Sequence, residues 1–203
     1  MGDSNLTRSA TSQGLSEGKM RRIAVLGARG VGKTSMSTRF CENTFDDMYL
    51  PTIEDSYQAT IRINNQQYIC EVLDTAGQDE YSIFGTQLTI GVHGFFLVFS
   101  VRDRTSFELL KTINDKLLVT LGASSIPRVL VGNQSDSIET EREVSYAEGE
   151  SYAREIGCPF VECSAMSGEN VTEAFVTLIR VMDPQSFKEQ NTKRKEDGGC
   201  VLC

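Results

Sequence analysis

Tryptophan is absent from this 203-residue chain, histidine occurs once and proline four times. The single histidine, His93, has no second imidazole to share a metal with and reads as a surface or helix-end residue. No stretch approaches the eighteen or so consecutive apolar residues of a membrane-crossing helix, and no leader peptide is visible at the start. Met1-Gly2 is followed by Leu6, where an N-myristoylation signal wants Ser or Thr. Positive charge is scarce, with 20 Lys plus Arg against 28 Asp plus Glu and a formal charge of −8. A nucleic-acid partner wants a basic face, so that class is excluded.

What remains is ordinary for a folded soluble chain, 39% apolar and 24% charged, and suits one domain with short tails. Six cysteines fall at Cys41, Cys70, Cys158, Cys163, Cys200 and Cys203. Cys41 and Cys70 read as small core residues in a reducing cytosol. A zinc site from Cys158, Cys163, Cys200 and Cys203 would need the tail to fold back onto a strand, and is set aside. Residues 1–20 are polar and are expected to be a disordered extension, 21–183 the domain, and 184–203 a flexible tail.

Between the tails, strand and helix patterns alternate. Apolar runs at Ile23–Leu26, Gly94–Ser100, Arg128–Gly132 and Pro159–Cys163 predict strands buried on both faces. Helices are expected near Lys33–Glu42, Thr105–Leu121, Tyr146–Ile156 and Val171–Met182, the third opened by a Ser145/Glu148 capping box. Ser56–Ile63 and Tyr68–Leu73 flank Asn64-Asn65-Gln66, a hairpin signal that adds one antiparallel edge strand to a mostly parallel sheet. The fold class is therefore α/β, and right-handed crossovers put ligands at the C-terminal edge of the sheet.

Gly27-Ala28-Arg29-Gly30-Val31-Gly32-Lys33-Thr34 fits G-x-x-x-x-G-K-[ST] directly after the first apolar run. Glycines let successive N–H groups converge on phosphate oxygens, Lys33 adds a charge, and the Thr34 hydroxyl is a hard ligand for Mg²⁺. Asp74-Thr75-Ala76-Gly77-Gln78 ends a second strand. Asp74 can hold Mg²⁺, the Gly77 N–H can meet a γ-phosphate, and Gln78 can orient an attacking water. Asn133-Gln134-Ser135-Asp136 ends a third. The Asp136 carboxylate can accept from N1–H and the 2-amino group of guanine together, which adenine cannot match. Asn133 would brace the loop and touch the base. Ser164-Ala165, after the next strand, could offer a backbone N–H to guanine O6.

In this order the set resembles the Ras superfamily of small GTPases, over residues 21–183 and again the last four. The resemblance implies a P-loop NTPase G domain with a six-stranded sheet and helices on both faces, a GTP/GDP switch with Mg²⁺, acting as a monomer. It assigns the phosphate and metal cradle to Lys33, Thr34 and the amides of Gly30–Ser35, with Val31 among them. It sets Phe45 against the guanine ring, Asp46 and Tyr49 over the ribose and phosphates, and Thr52 on the metal when γ-phosphate is present. Tyr49, Pro51, Thr52, Ile53, Glu54 and Asp55 match its effector region, and Gly77 and Gln78 its second switch.

Gln78–Phe84 and Arg29 resemble the Rheb branch in particular. A side chain at position 29, where most relatives have glycine, crowds Gln78 and an incoming arginine finger, which is worth about 10³–10⁵ in rate. Slow hydrolysis, a tuberin-type GTPase-activating protein, an exchange factor and a target-of-rapamycin kinase complex are what that resemblance implies. Glu54-Asp55-Ser56-Tyr57 is more like Ras and Rap, which leaves Ras-type effectors as an alternative; a GTP-locked binding module is another. Gln134 and Met166 stand where the family has lysines, and both weaken the expected hold on nucleotide. The end, Cys200-Val201-Leu202-Cys203, fits a prenylation signal read at Cys200, with Lys193-Arg194-Lys195 upstream. It implies the cytoplasmic face of a membrane with a cytosolic pool.

Overall fold

The computed structural model describes residues 18–46, 54–77, 90–137 and 139–187. In chain order they form β1 (Lys19–Gly27), α1 (Lys33–Glu42), β2 (Glu54–Ile63), β3 (Gln66–Thr75), β4 (Gly94–Ser100), α2 (Arg104–Leu121), β5 (Arg128–Asn133), α3 (Tyr146–Ile156), β6 (Phe160–Glu162) and α4 (Val171–Met182). The six strands make one sheet in the order β2-β3-β1-β4-β5-β6, parallel throughout except for the β2–β3 pair. The hairpin closes between Ile63 and Gln66. Asn64 and Asn65 both take positive φ, 49° and 64°, as a two-residue turn matched to strand twist requires.

Strand alternation sends successive side chains to opposite faces and so divides the core in two. Ile23, Val25, Phe96, Val98, Val129 and Val131 face α1 and α4, where Met36 and Phe175 are buried. Ala24, Leu26, Phe95, Leu97, Phe99 and Leu130 face α2 and α3, against Phe107, Leu110 and Tyr152. Helices on both faces explain why β4 and β5 are buried along their whole length. The Phe40 and Phe175 rings stack at 3.6 Å between α1 and α4. Asp103 caps α2 by accepting from the N–H groups of Thr105 and Ser106, and Ser145 with Glu148 forms the expected box on α3.

Two differences from the sequence reading have physical causes. Lys19 and Met20, taken with the polar N-terminal extension because a single exposed methionine beside a lysine makes no apolar run, belong to β1. The Lys19 ammonium holds Asp183 at 2.7 Å and, with hydrogen bonds from Ser186, pushes the Asp183 carboxyl down to about 2; the Arg21 guanidinium and the Tyr68 hydroxyl reach the same carboxylate. β6 is shorter than the apolar run and half-buried, because it is the last strand of the sheet and has a neighbour on one side only. His93 is an exposed surface residue, one of the two places expected for it, and lies just before β4; its Nδ1 accepts from the Arg22 N–H at 2.9 Å.

Candidate functional site

A cavity of about 480 Å³ opens at the C-terminal edge of the sheet. The loops after β1, β3, β4, β5 and β6 all contribute to its wall, because parallel strands end there together and the chain leaves β1 toward either side of the sheet. Arg29, Gly30, Gly32, Lys33, Thr34 and Ser35 line one end, and Phe45, Asp46, Asn133, Gln134, Asp136, Ala165 and Met166 the other.

The phosphate end is shaped by backbone. Gly30 and Gly32 take φ of 79° and 86°, in the left-handed region open to glycine at little cost. A Cβ on Gly32 would also collide with the Asn133 amide nitrogen. The turn brings Lys33, 6% exposed, back over the loop, where its ammonium donates to the carbonyls of Gly27 and Ala28 at 3.0 and 2.9 Å. Burial pulls the Lys33 ammonium down to about 8, against the opposing pull of Asp74, and the nearby Arg29 charge lowers it further. The Thr34 hydroxyl donates to Asp74 Oδ2 at 2.6 Å, so a hydroxyl from α1 and a fully buried carboxylate from β3 converge. Gly77 leans on the phosphate loop so closely that a Cβ there would sit 2.5 Å from the Arg29 Cα.

The base end is held by side chains. Asn133 donates from Nδ2 to the Val31 carbonyl at 2.8 Å and accepts at Oδ1 from the Ala165 N–H at 3.1 Å. It thereby ties the phosphate loop to the loop after β6, the bracing expected of it. The Ala165 N–H is thus engaged by Asn133, so a guanine O6 would share this donor rather than find it open. Ser164 is buried behind the wall, where its Oγ accepts from the Ser167 N–H at 3.0 Å. Gly27 and Val31 also lie behind the lining, Val31 in the core and its carbonyl on Asn133. Their contribution to a ligand is restricted to backbone amides.

Arg39 was not singled out by any motif. It reaches from the last turn of α1 to the Ala165 and Met166 carbonyls, at 2.9 and 2.6 Å, and its guanidinium lies 5.8 Å from the Phe45 ring centre. Only a basic residue near a helix C-terminus hinted at it. Thr38 and Arg102 also line the cavity without a sequence signal, and Thr75 lines it from within the Asp74–Gln78 motif. Glu54 and Asp55 stand in β2 opposite Thr75 and Asp74. Tyr49, Pro51, Thr52, Ile53, Gln78 and Cys200 lie outside the described residues.

Residues 22–183 match the model of the Ras family. The chain is 46% identical over 184 residues to the GTP-binding protein Rheb homolog of Dictyostelium discoideum, covering 91% of this chain and 97% of that one. It is 41% identical over 184 residues to the Rheb homolog of Drosophila melanogaster, covering 91% and 98%. Against the GTP-binding protein Rheb of Homo sapiens it is 43% identical over 163 residues, covering 80% and 88%.

Proposed function

The chain belongs to the Ras family of small GTPases, and from that premise we propose that it is a slowly hydrolysing, membrane-tethered switch of the Rheb type. The observation that carries the reading is the contact of Gly77 with the Arg29 backbone. It puts a bulky cation beside the residue that precedes Gln78, where the attacking water would be oriented.

The binding step follows from the two ends of the cavity. Phosphate oxygens replace the Gly27 and Ala28 carbonyls as partners of the Lys33 ammonium, and the N–H groups of Gly30 to Ser35 supply neutral donors around them. Guanine lies between Phe45 and the loops after β5 and β6, with Asp136 accepting from its N1–H and 2-amino group. Thr34 and Asp74 offer the hard oxygen donors that Mg²⁺ prefers, at one place and 2.6 Å apart, so the residues present fit that ion. Thr34 and Asp74, with Thr52 as the resemblance implies, would hold Mg²⁺, and the ion would supply charge neutralisation for the phosphates. Hydrolysis breaks the bond between the γ-phosphorus and its bridging oxygen as water adds to phosphorus, and Gln78 orients that water. Lys33 stabilises the negative charge left on GDP.

Relatives that carry the Rheb name support a tuberin-type activating protein and a target-of-rapamycin kinase complex as partners, over a Ras-type kinase effector. The end of the chain supports prenylation at Cys200, with Lys193-Arg194-Lys195 favouring an anionic cytoplasmic membrane surface. Single-turnover GTP hydrolysis by the native chain and by Arg29→Gly tests the reading. The native chain is expected to be slow, to respond to a tuberin-type activating domain and to ignore an arginine-finger one. Arg29→Gly should hydrolyse several-fold faster and gain a response to the finger, a part worth about 10³–10⁵ in rate elsewhere. Equal rates and equal responses in both proteins would remove Arg29 from the mechanism.

A further inference from the structure

The base end of the cavity contains a chain of hydrogen bonds that no nucleotide-binding motif includes. Gln134, at φ 64° just after β5, sends its amide to two sides. Nε2 donates to the Gly30 carbonyl at 3.3 Å, and Oε1 accepts from Ser100 Oγ at 2.5 Å. Ser100 ends β4, is 4% exposed, and itself accepts from the Arg102 N–H at 3.1 Å.

A hydroxyl has one proton, and here it is spent on Gln134. The Gly30 carbonyl can only accept, so it sets which way the amide faces, and the Ser100 proton then anchors Oε1 in that orientation. With its ends reversed, Oε1 would oppose the Gly30 carbonyl, acceptor against acceptor, and the bond to the phosphate loop would be lost. Gly30 lies in the left-handed region, and no side chain packs where its Cβ would be, so on the Gly30 side that peptide has only hydrogen bonds to hold it, while Val31 is anchored in the core. Pinning the Gly30 carbonyl also pins the Val31 N–H, which points the opposite way across the same planar peptide unit.

We propose that Ser100 is a nucleotide-positioning residue: by anchoring the Gln134 amide it steadies the Gly30 carbonyl of the phosphate loop and slows release of bound nucleotide. The proposal rests on the guanine-nucleotide reading above. Ser100 and Gln134 act as one device. The lysine that the resemblance leads one to expect at position 134 has three donors and no acceptor for the Ser100 proton, whereas the glutamine offers Oε1.

The test is the release rate of a fluorescent GDP from the full chain, measured for the native protein, Ser100→Ala, Gln134→Lys and the double variant. Ser100→Ala is expected to speed release about tenfold, the equivalent of one well-formed hydrogen bond. In the Gln134→Lys background the same change should have an effect within about twofold, whereas a merely structural loss would act equally in both. Gln134→Met, which removes both amide bonds and leaves Ser100 in place, should release as fast as Ser100→Ala, and keeps the test open should that variant fold poorly. Unchanged release in Ser100→Ala or Gln134→Met, or equal acceleration in both backgrounds, overturns the proposal. A native chain that retains no GDP at all overturns the guanine reading and the proposal with it.

Discussion

At the phosphate end of the cavity, Gly30, Gly32 and Lys33 make the site from backbone shape and one buried ammonium. At the base end, Asn133, Gln134 and Arg39 make it from side-chain bonds that reach across from other elements. The first kind of construction is local: eight consecutive residues carry it, and the chain departs from the pattern only by adding Arg29. The second is distributed over α1, β4, β5 and the loop after β6. A replacement in one place can then be met by a new bond from another. Gln134 is an example, since an amide in place of an ammonium is usable here only beside Ser100. The contrast suggests that the phosphate end tolerates little change, while the base end tolerates substitution so long as its bracing is kept.

Removing the ammonium should break the comparison most severely. Lys33→Met deletes a charge-assisted contact to phosphate and leaves the Gly27 and Ala28 carbonyls without their donor. GDP affinity should fall about 10²–10³-fold by equilibrium titration. Arg39→Ala tests the other end. It removes two bonds to the Ala165 and Met166 carbonyls and the contact over Phe45, and should speed GDP release by about tenfold. Arg39→Gln should recover part of the loss. If Arg39→Ala cost as much as Lys33→Met, the contrast between the two ends would not stand.

A smaller and more graded effect comes from pH, and it should belong to the phosphate end alone. In the free pocket the Lys33 ammonium titrates at about 8, because burial disfavours its charged form. Bound phosphate favours that form, so binding takes up a proton at higher pH. Affinity for GDP should be flat in this respect below pH 8 and fall above it, at a limit of about tenfold per pH unit. The nucleotide-free fold responds with the opposite sign. Between about 8 and the ordinary lysine value of 10.5 the unfolded chain binds more protons than the native one, so the penalty for burying Lys33 shrinks as pH rises. Affinity titrations and chemical unfolding of the nucleotide-free chain across pH 7–10 check the two signs together. The dependence should vanish in Lys33→Met and persist in Arg39→Ala.

Most of the fold was legible because its signals are periodic and local. The helices at Lys33–Glu42, Tyr146–Ile156 and Val171–Met182 have the bounds that apolar spacing and caps indicate. The continuous apolar runs of β4 and β5 reflect helices on both faces. What misled was polarity at the margins. Lys19 looks like a solvated residue, and it belongs to β1 through an ion pair with Asp183, far away in sequence. In the site, the motif residues were legible where spacing alone fixes the chemistry, as in Gly30 to Thr34. Ser100 and Arg39 were not, because a lone serine at a strand end and a lone arginine on a helix carry no pattern. Their roles exist only once β4, β5 and α1 are brought to one edge. Ser164-Ala165 is legible as a source of a backbone N–H for guanine, but the bond of the Ala165 N–H to Asn133 is a long-range contact that no local pattern carries.

If, as proposed, one cavity selects guanine through Asp136 and holds phosphate through Lys33, it must discriminate among competing nucleotides. The direct measurement is displacement of a fluorescent GDP from the native chain by GDP, GTP, ATP and xanthosine diphosphate, repeated with Asp136→Asn. GDP and GTP should displace the probe while ATP does not. Asp136→Asn should move the preference toward the xanthine nucleotide by about a hundredfold, since an amide can donate to the oxygen that replaces the 2-amino group. Displacement by ATP as effective as by GTP, or a preference left unchanged in Asp136→Asn, would contradict that selection.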